Sequence, residues 1–256
     1  NLAPVLVFTG TIAVAAVLPL GEKIIPANLN IGVFYILSVS SLVVVGIIMA
    51  GWSSNNKWSL FGAMRSAAQI ISYEIPIGLS MLPVVIVVGS LGVSDIVNYQ
   101  KDGFWNWFFL RNFPFNFVAF IIFFVAMLAE TNRNPFDIPE AESELVAGFH
   151  TEYGGMRWAM FFLAEYANML AAGLIVSLLF LGGWWPPFTF LQFIPGGLWL
   201  LGKAVFIVFV QIWMRWSLPR LRVDQLMHVS WKVLTPFAFA CVIGVGIWEL
   251  FFPSSL

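Results

Sequence analysis

Long apolar runs separated by short polar ones set the pattern of this chain. A helix needs about 20 residues to cross about 30 Å of hydrocarbon, and seven segments meet or approach that length: 2–20, 31–50, 58–92, 114–129, 156–181, 198–216 and 233–252. The third is a long helix whose first half carries Arg65, Gln69 and Glu74 and which Pro76 is expected to kink. Between the third and fourth, 95–111 reads as an aromatic connector with Trp105 and Trp107 at a membrane interface. A charge-free turn rich in proline and glycine, 182–197, joins the fifth to the sixth. Lys203 in the sixth is expected to snorkel or to be paired, and Met227 and Cys241 to be packing residues. The pattern predicts an all-α, polytopic transmembrane helical bundle of about seven spans, forming a single transmembrane domain over 1–256.

Composition agrees with that class. The chain is 60% hydrophobic and 10% charged, with a mean hydropathy of +0.90, against roughly 25% charged residues in soluble domains. A net charge of -1 without a basic run argues against nucleic acid as a partner. The one cysteine, Cys241, excludes an intramolecular disulfide and a cluster held by this chain's own thiolates. His150 and His228 fall at predicted membrane edges and make a poor axial haem pair. With no flavin or nucleotide fingerprint either, the expectation is that this chain binds no cofactor and no metal, and that any redox centres sit in partners. No internal repeat suggests an inverted-repeat transporter.

Basic residues set an orientation. Lys57, Arg65, Arg133, Arg157, Arg215, Arg220, Arg222 and Lys232 fall on one side, and Lys23, Lys101, Arg111 and Lys203 on the other. The richer side should face the cytoplasm or its equivalent. That places the stretch 128–165, LAETNRNPFDIPEAESELVAGFHTEYGGMRWAMFFLAE, and the basic loop 215–232 together on the inner face.

The acids concentrate in that stretch. Glu130, Asp137, Glu140, Glu142, Glu144 and Glu152 lie there, with Glu165 at its end, although the chain has only 13 acidic residues in all. Pro139 can open a short helix that Asp137 caps. Glu140 and Glu144 then share one face, where two like charges resist joint ionisation and can take up a proton when a nearby charge changes. The plain alternative is a solvated, charge-rich loop. Glu165 is sharper, since it stands about ten residues into the fifth span, roughly 15 Å deep. A carboxylate there needs a cation, water or a proton, so it is either functional or one half of a structural pair. On the third span Gln69 shares the face of Arg65, whereas Glu74 lies nearly opposite. Arg65 offers a fixed donor to a polar headgroup or an anchor to phosphates.

Three segments together, GWSSNNKWSLFGAMRSAAQIISYE, AETNRNPFDIPEAESELVAGFHTEYGGM and LPRLRVDQLMHVSWKVLTP, resemble the membrane subunit that builds the quinone chamber of proton-pumping NADH:quinone oxidoreductase, respiratory complex I (the H-subunit, or mitochondrial subunit 1, family). The resemblance extends over essentially the whole chain. Members of that family have eight spans, and the chain is expected to begin where their second span begins, without the amino-terminal one. The resemblance implies tilted helices docked under a hydrophilic arm, with FMN and iron-sulfur clusters in partner subunits and quinone as the substrate. It implies that Arg65, Gln69 and Glu74 lie along the quinone chamber. It implies that Arg133, Asp137, Glu140, Glu142, Glu144, Glu152 and Glu165 couple quinone chemistry to proton translocation. Implied partners are the hydrophilic-arm subunits, including the one with the terminal iron-sulfur cluster, the small and antiporter-like membrane subunits, and membrane lipids. The implied location is a bacterial plasma membrane or a mitochondrial inner membrane. Similar subunits occur in membrane-bound hydrogenases and in ferredoxin-dependent photosynthetic complexes, but the ETNRNPFDIPEAE form resembles the respiratory type more closely. A stand-alone ion channel or carrier, or a scaffold whose acids only dock partners, are the readings of a different class.

Overall fold

Helix α1 (Leu2–Ala15) lies antiparallel to α2 (Gly32–Ser53), which a short turn connects to the 32-residue α3 (Lys57–Val88). The structure, a computed structural model, describes residues 2–22, 24–101, 103–137, 148–191 and 193–252. A short α4 (Val93–Tyr99) precedes α5 (Phe115–Glu130), and after the acidic loop come α6 (Met156–Phe180) and α7 (Gly196–Ser217). The last helix, α8 (Val223–Phe251), is continuous through a π-helical segment, Val229–Leu234. Every regular element among the described residues is helical.

Five helices, α2, α3, α6, α7 and α8, are long and apolar enough to cross a membrane. The all-α membrane bundle stands, with five of the seven expected segments reaching crossing length among the described residues. The other two apolar segments form α1, of 14 residues, and α5, of 16, which at 1.5 Å per residue reach about 21 and about 24 Å. The basic loop is also shorter than expected, because α8 starts at Val223. There the Gln225 side chain accepts the backbone N–H of Arg222 and closes the first turn. Trp105 is exposed as expected of an interfacial residue, whereas Trp107 is buried. The helix expected to open at Pro139, with Glu140, Glu142 and Glu144, lies outside the described residues.

Helix α3 is the axis of the bundle, packing against α2, α5 and α8. Its first turns bury small residues, Ser59, Gly62, Ala63, Ser66 and Ala67, and small side chains let membrane helices approach closely. A Cβ on Gly62 would come within 3.0 Å of the Gly148 Cα, so the turn after the acidic loop rests directly on α3. Gly148 has φ 59°, a left-handed conformation that favours glycine.

Pro76 leaves the Ser72 carbonyl without its helical donor. The Ser230 hydroxyl of α8 donates to that carbonyl at 2.6 Å. One turn away the Tyr73 hydroxyl donates to the Leu226 carbonyl at 3.1 Å, so α8 answers the proline of α3 and α3 is tied to the turn of α8 that precedes its π-helical segment.

At the end opposite the acidic loop, the Lys203 ammonium donates to the carbonyls of Leu181, Gly183 and Trp185 at 2.6, 2.9 and 2.7 Å. It also stands over the Trp107 ring, 4.2 Å from the centroid. Lys203 is therefore held by backbone beyond the end of α6 and does not snorkel.

Candidate functional site

The acidic-loop end of the bundle holds a second apolar cluster, built from Val7, Ile47, Ala63, Phe149, Phe161 and Ala164 among others. Within it opens a cavity of about 280 Å³ whose polar wall consists of Thr11, Glu130, Thr131, Asn132, Arg133, His150, Glu165, Tyr166, Asn168 and Arg215. Sites of this size with polar lining hold water. A smaller void of about 20 Å³, lined by Thr11, Ser40, Met81, Asn168 and Glu130, adjoins it. Glu130, Thr11 and Asn168 belong to both walls.

Glu165 faces this cavity from α6, and Arg133 reaches it from the loop that follows α5. The Arg133 Nε lies 2.9 Å from the Glu165 Oε1. The same guanidinium sits over the Tyr166 ring, 4.4 Å from its centroid. The two side chains are 10% and 19% exposed, so each relieves the burial of the other's charge. Asp137 and Arg215 lie near enough for their charges to act on Glu165 as well. Thus the structural pairing and the cavity position coincide in one residue.

Gln69 explains how the loop is held. Its buried Nε2 donates to the Ala129 and Phe136 carbonyls, both at 2.8 Å, and to the Asn132 Oδ1 at 3.2 Å. It therefore fastens the end of α5 and the segment bearing Arg133 to α3. Glu74, on the other side of α3, accepts a hydrogen bond from the Ser41 hydroxyl of α2 at 3.1 Å, and its charge acts on Glu130. Arg65 lies over the Phe61 ring, 4.4 Å from its centroid. These three residues share a helix but not a cavity wall. Glu152 is exposed and accepts from the Asn56 Nδ2 at 3.1 Å, tethering the turn after the loop to the start of α3.

Sequence reasoning did not single out Glu130, His150, Asn168 or Arg215 as site residues. Glu130 carried a readable signal, since it directly follows an uncharged, mostly apolar run, 116–129. Arg215 read only as part of a positive anchor. His150 sits on a 3₁₀ turn, Gly148–His150, with the Phe149 ring edge-on at 5.1 Å. Burial pushes its imidazole below the usual histidine range, which favours the neutral ring. Carboxyl groups, an imidazole and room for water on one wall are the parts a proton needs to move in short hydrogen-bonded steps.

The family model described as NADH dehydrogenase matches residues 1–246. The H subunit of NADH-quinone oxidoreductase from Chlorobium luteolum is 48% identical over 264 residues, covering 98% of this chain and 71% of that protein. The corresponding subunit of Chlorobaculum tepidum is 48% identical over 261 residues, covering 97% and 72%. That of Anaeromyxobacter dehalogenans is 48% identical over 267 residues, covering 97% and 64%. The chain belongs to this H-subunit family. It is a polytopic membrane member of that family, as its helices require. Among the described residues of this H-type subunit, no group of three or more His, Cys, Asp or Glu side chains is arranged to hold a metal ion. Glu130, Arg133, His150, Glu165, Tyr166 and Arg215 meet instead on the wall of the polar cavity.

Proposed function

We propose that this chain forms part of the quinone chamber of a proton-translocating NADH:quinone oxidoreductase and relays the protonation changes that couple quinone reduction to proton translocation. The observation that carries the reading is the Arg133–Glu165 pair on the wall of a cavity that also contains Glu130, inside a membrane bundle. An ion pair and a second carboxyl group at such a depth are costly even when paired or wetted, so their presence favours a functional role. The pair can open and re-form as a proton or a nearby charge arrives, which is what a relay requires.

In this reading Arg65, Gln69 and Glu74 lie along the chamber, with Gln69 fixing the loop that positions Arg133. Asp137, Glu140, Glu142, Glu144 and Glu152 link the loop to the relay, and Glu165 stands at its membrane end. The chain acts as one transmembrane domain, with α1 and α5 as short additional spans that bring the number to seven. NADH oxidation, FMN and the iron-sulfur clusters belong to hydrophilic-arm partners, and the small and antiporter-like membrane subunits continue the proton route. The setting is a bacterial plasma membrane or a mitochondrial inner membrane. The relatives' shared name supports the quinone and the NADH, and the cavity with its ion pair supports the relay.

The test is quinone-dependent proton uptake by the purified assembly in vesicles, wild type against Glu165→Gln. Loss of uptake with normal assembly is the expected result. Full uptake and full quinone turnover in the Glu165→Gln assembly would remove Glu165 from the coupling route.

A further inference from the structure

We propose that His150 is a proton-exchanging residue at the loop end of the cavity, passing protons between inner-face water and the Arg133–Glu165 pair. This rests on the relay reading above and assigns it a particular doorway. His150 is half-buried, on a turn that leaves the acidic loop and reaches the same wall as Glu130, Arg133, Glu165 and Arg215. Of the side chains on that wall, an imidazole alone has an ordinary titration point near neutrality and can both accept and donate a proton. It is thus suited to a mouth where protons arrive from water and leave toward a carboxylate.

The turn is fixed firmly enough to aim the ring. The Ser59 hydroxyl donates to the Phe149 carbonyl at 3.0 Å, the Thr151 hydroxyl to the Gly148 carbonyl at 2.7 Å, and Phe149 packs edge-on against Phe161 of α6 at 5.4 Å. Charged and titratable groups from several elements share the cavity wall with the ring. Glu130 and Arg133 come from the end of α5 and the loop after it, Glu165 and Tyr166 from α6, and Arg215 from α7. Helices α1 and α2 contribute only the uncharged Val7, Thr11, Val43 and Ile47. On α3, against which the turn rests, the charged residues of that half are Lys57 and Arg65, and Glu152 and Tyr153 follow on the turn itself. Burial lowers the imidazole from its ordinary value, which favours the neutral ring.

The step moves one proton and no electrons. A ring nitrogen with a free lone pair accepts a proton from hydronium in inner-face water, forming an N–H bond as one hydronium O–H bond breaks and leaves water. The other ring nitrogen releases its proton to cavity water, which passes one to a Glu165 carboxylate oxygen. The imidazole ends neutral, with its tautomer exchanged, and is reset by ring rotation or by a second exchange.

The experiment measures quinone reduction and proton uptake by the intact complex as a function of pH for wild type, His150→Asn and His150→Gln, with Glu165→Gln in parallel. The wild-type uptake rate should show an inflection on the acid side of the ordinary histidine value of 6.5, absent from both His150 variants. Uptake should fall about tenfold in the variants, less than the roughly 10²- to 10⁴-fold of an acid acting directly on reacting atoms, while the KM for quinone stays unchanged. Added imidazole should restore part of the rate. A wild-type pH profile in His150→Asn, or failure of both variants to assemble, would make the ring a packing element and overturn the proposal. If Glu165→Gln loses uptake while the His150 variants behave as wild type, the doorway fails and the relay stands. If Glu165→Gln retains uptake, the relay itself fails.

Discussion

At the scale of single residues, the Arg133–Glu165 pair decides how the site behaves. Both side chains are largely buried and each makes the other's charge tolerable, so removing one is expected to cost more than removing both. Arg133→Ala should lower the thermal stability of the assembled complex, and adding Glu165→Gln should recover part of the loss. A double-mutant cycle on the inactivation midpoint should return a coupling of about 1–3 kcal/mol; additive effects would mean that the two groups do not meet in the assembly. Glu165 was legible in the sequence because a carboxylate stood inside an apolar run, whereas Arg133 entered only through the family resemblance. Their pairing was not legible, because it joins the loop after α5 to α6, and no helical spacing relates positions in separate elements. His150 was visible only as a histidine at a membrane edge until the cavity wall gave it neighbours.

At the scale of elements, the interface between α3 and α8 shows how a membrane helix carries a proline at its centre. The Ser230 hydroxyl replaces the amide that Pro76 lacks at the Ser72 carbonyl. Ser230→Ala should therefore destabilise the subunit by about 1–3 kcal/mol, the usual range for a buried acceptor left alone. Ser230→Ala with Pro76→Ala should be less damaged than Ser230→Ala alone, since alanine restores the helical N–H. Equal melting of the two in detergent would place the cost elsewhere. The proline was plain in the sequence and suggested a kink. That a serine of the last helix would answer it depended on α8 beginning at Val223, ten residues earlier than the apolar run 233–252 indicated. Polar residues such as Asp224, Gln225 and His228 hid the helix from an apolar-run reading, although a short capped turn tolerates them at a membrane edge.

At the scale of the whole molecule, alternation of apolar helices places the acidic-loop end and the Lys101 connector on opposite sides. In a Cys241→Ala background, which removes this chain's one cysteine, Lys101→Cys should react with a membrane-impermeant maleimide in intact cells. Arg222→Cys should react only after permeabilisation. Reversed labelling would invert the orientation that the basic residues specify. The sequence by itself determined the membrane class, the approximate place of each apolar segment, the end of the bundle where charge collects and the family to which the chain belongs. These follow from local quantities, since hydropathy, helix length and motif spacing are written along the chain. The tertiary structure alone decided that five helices, and not seven, have crossing length among the described residues, that Gln69 serves the loop, and that Glu130, His150, Glu165 and Arg215 share one wall. Burial and pairing are properties of surfaces brought together from distant parts of the chain, and only the folded bundle brings them together.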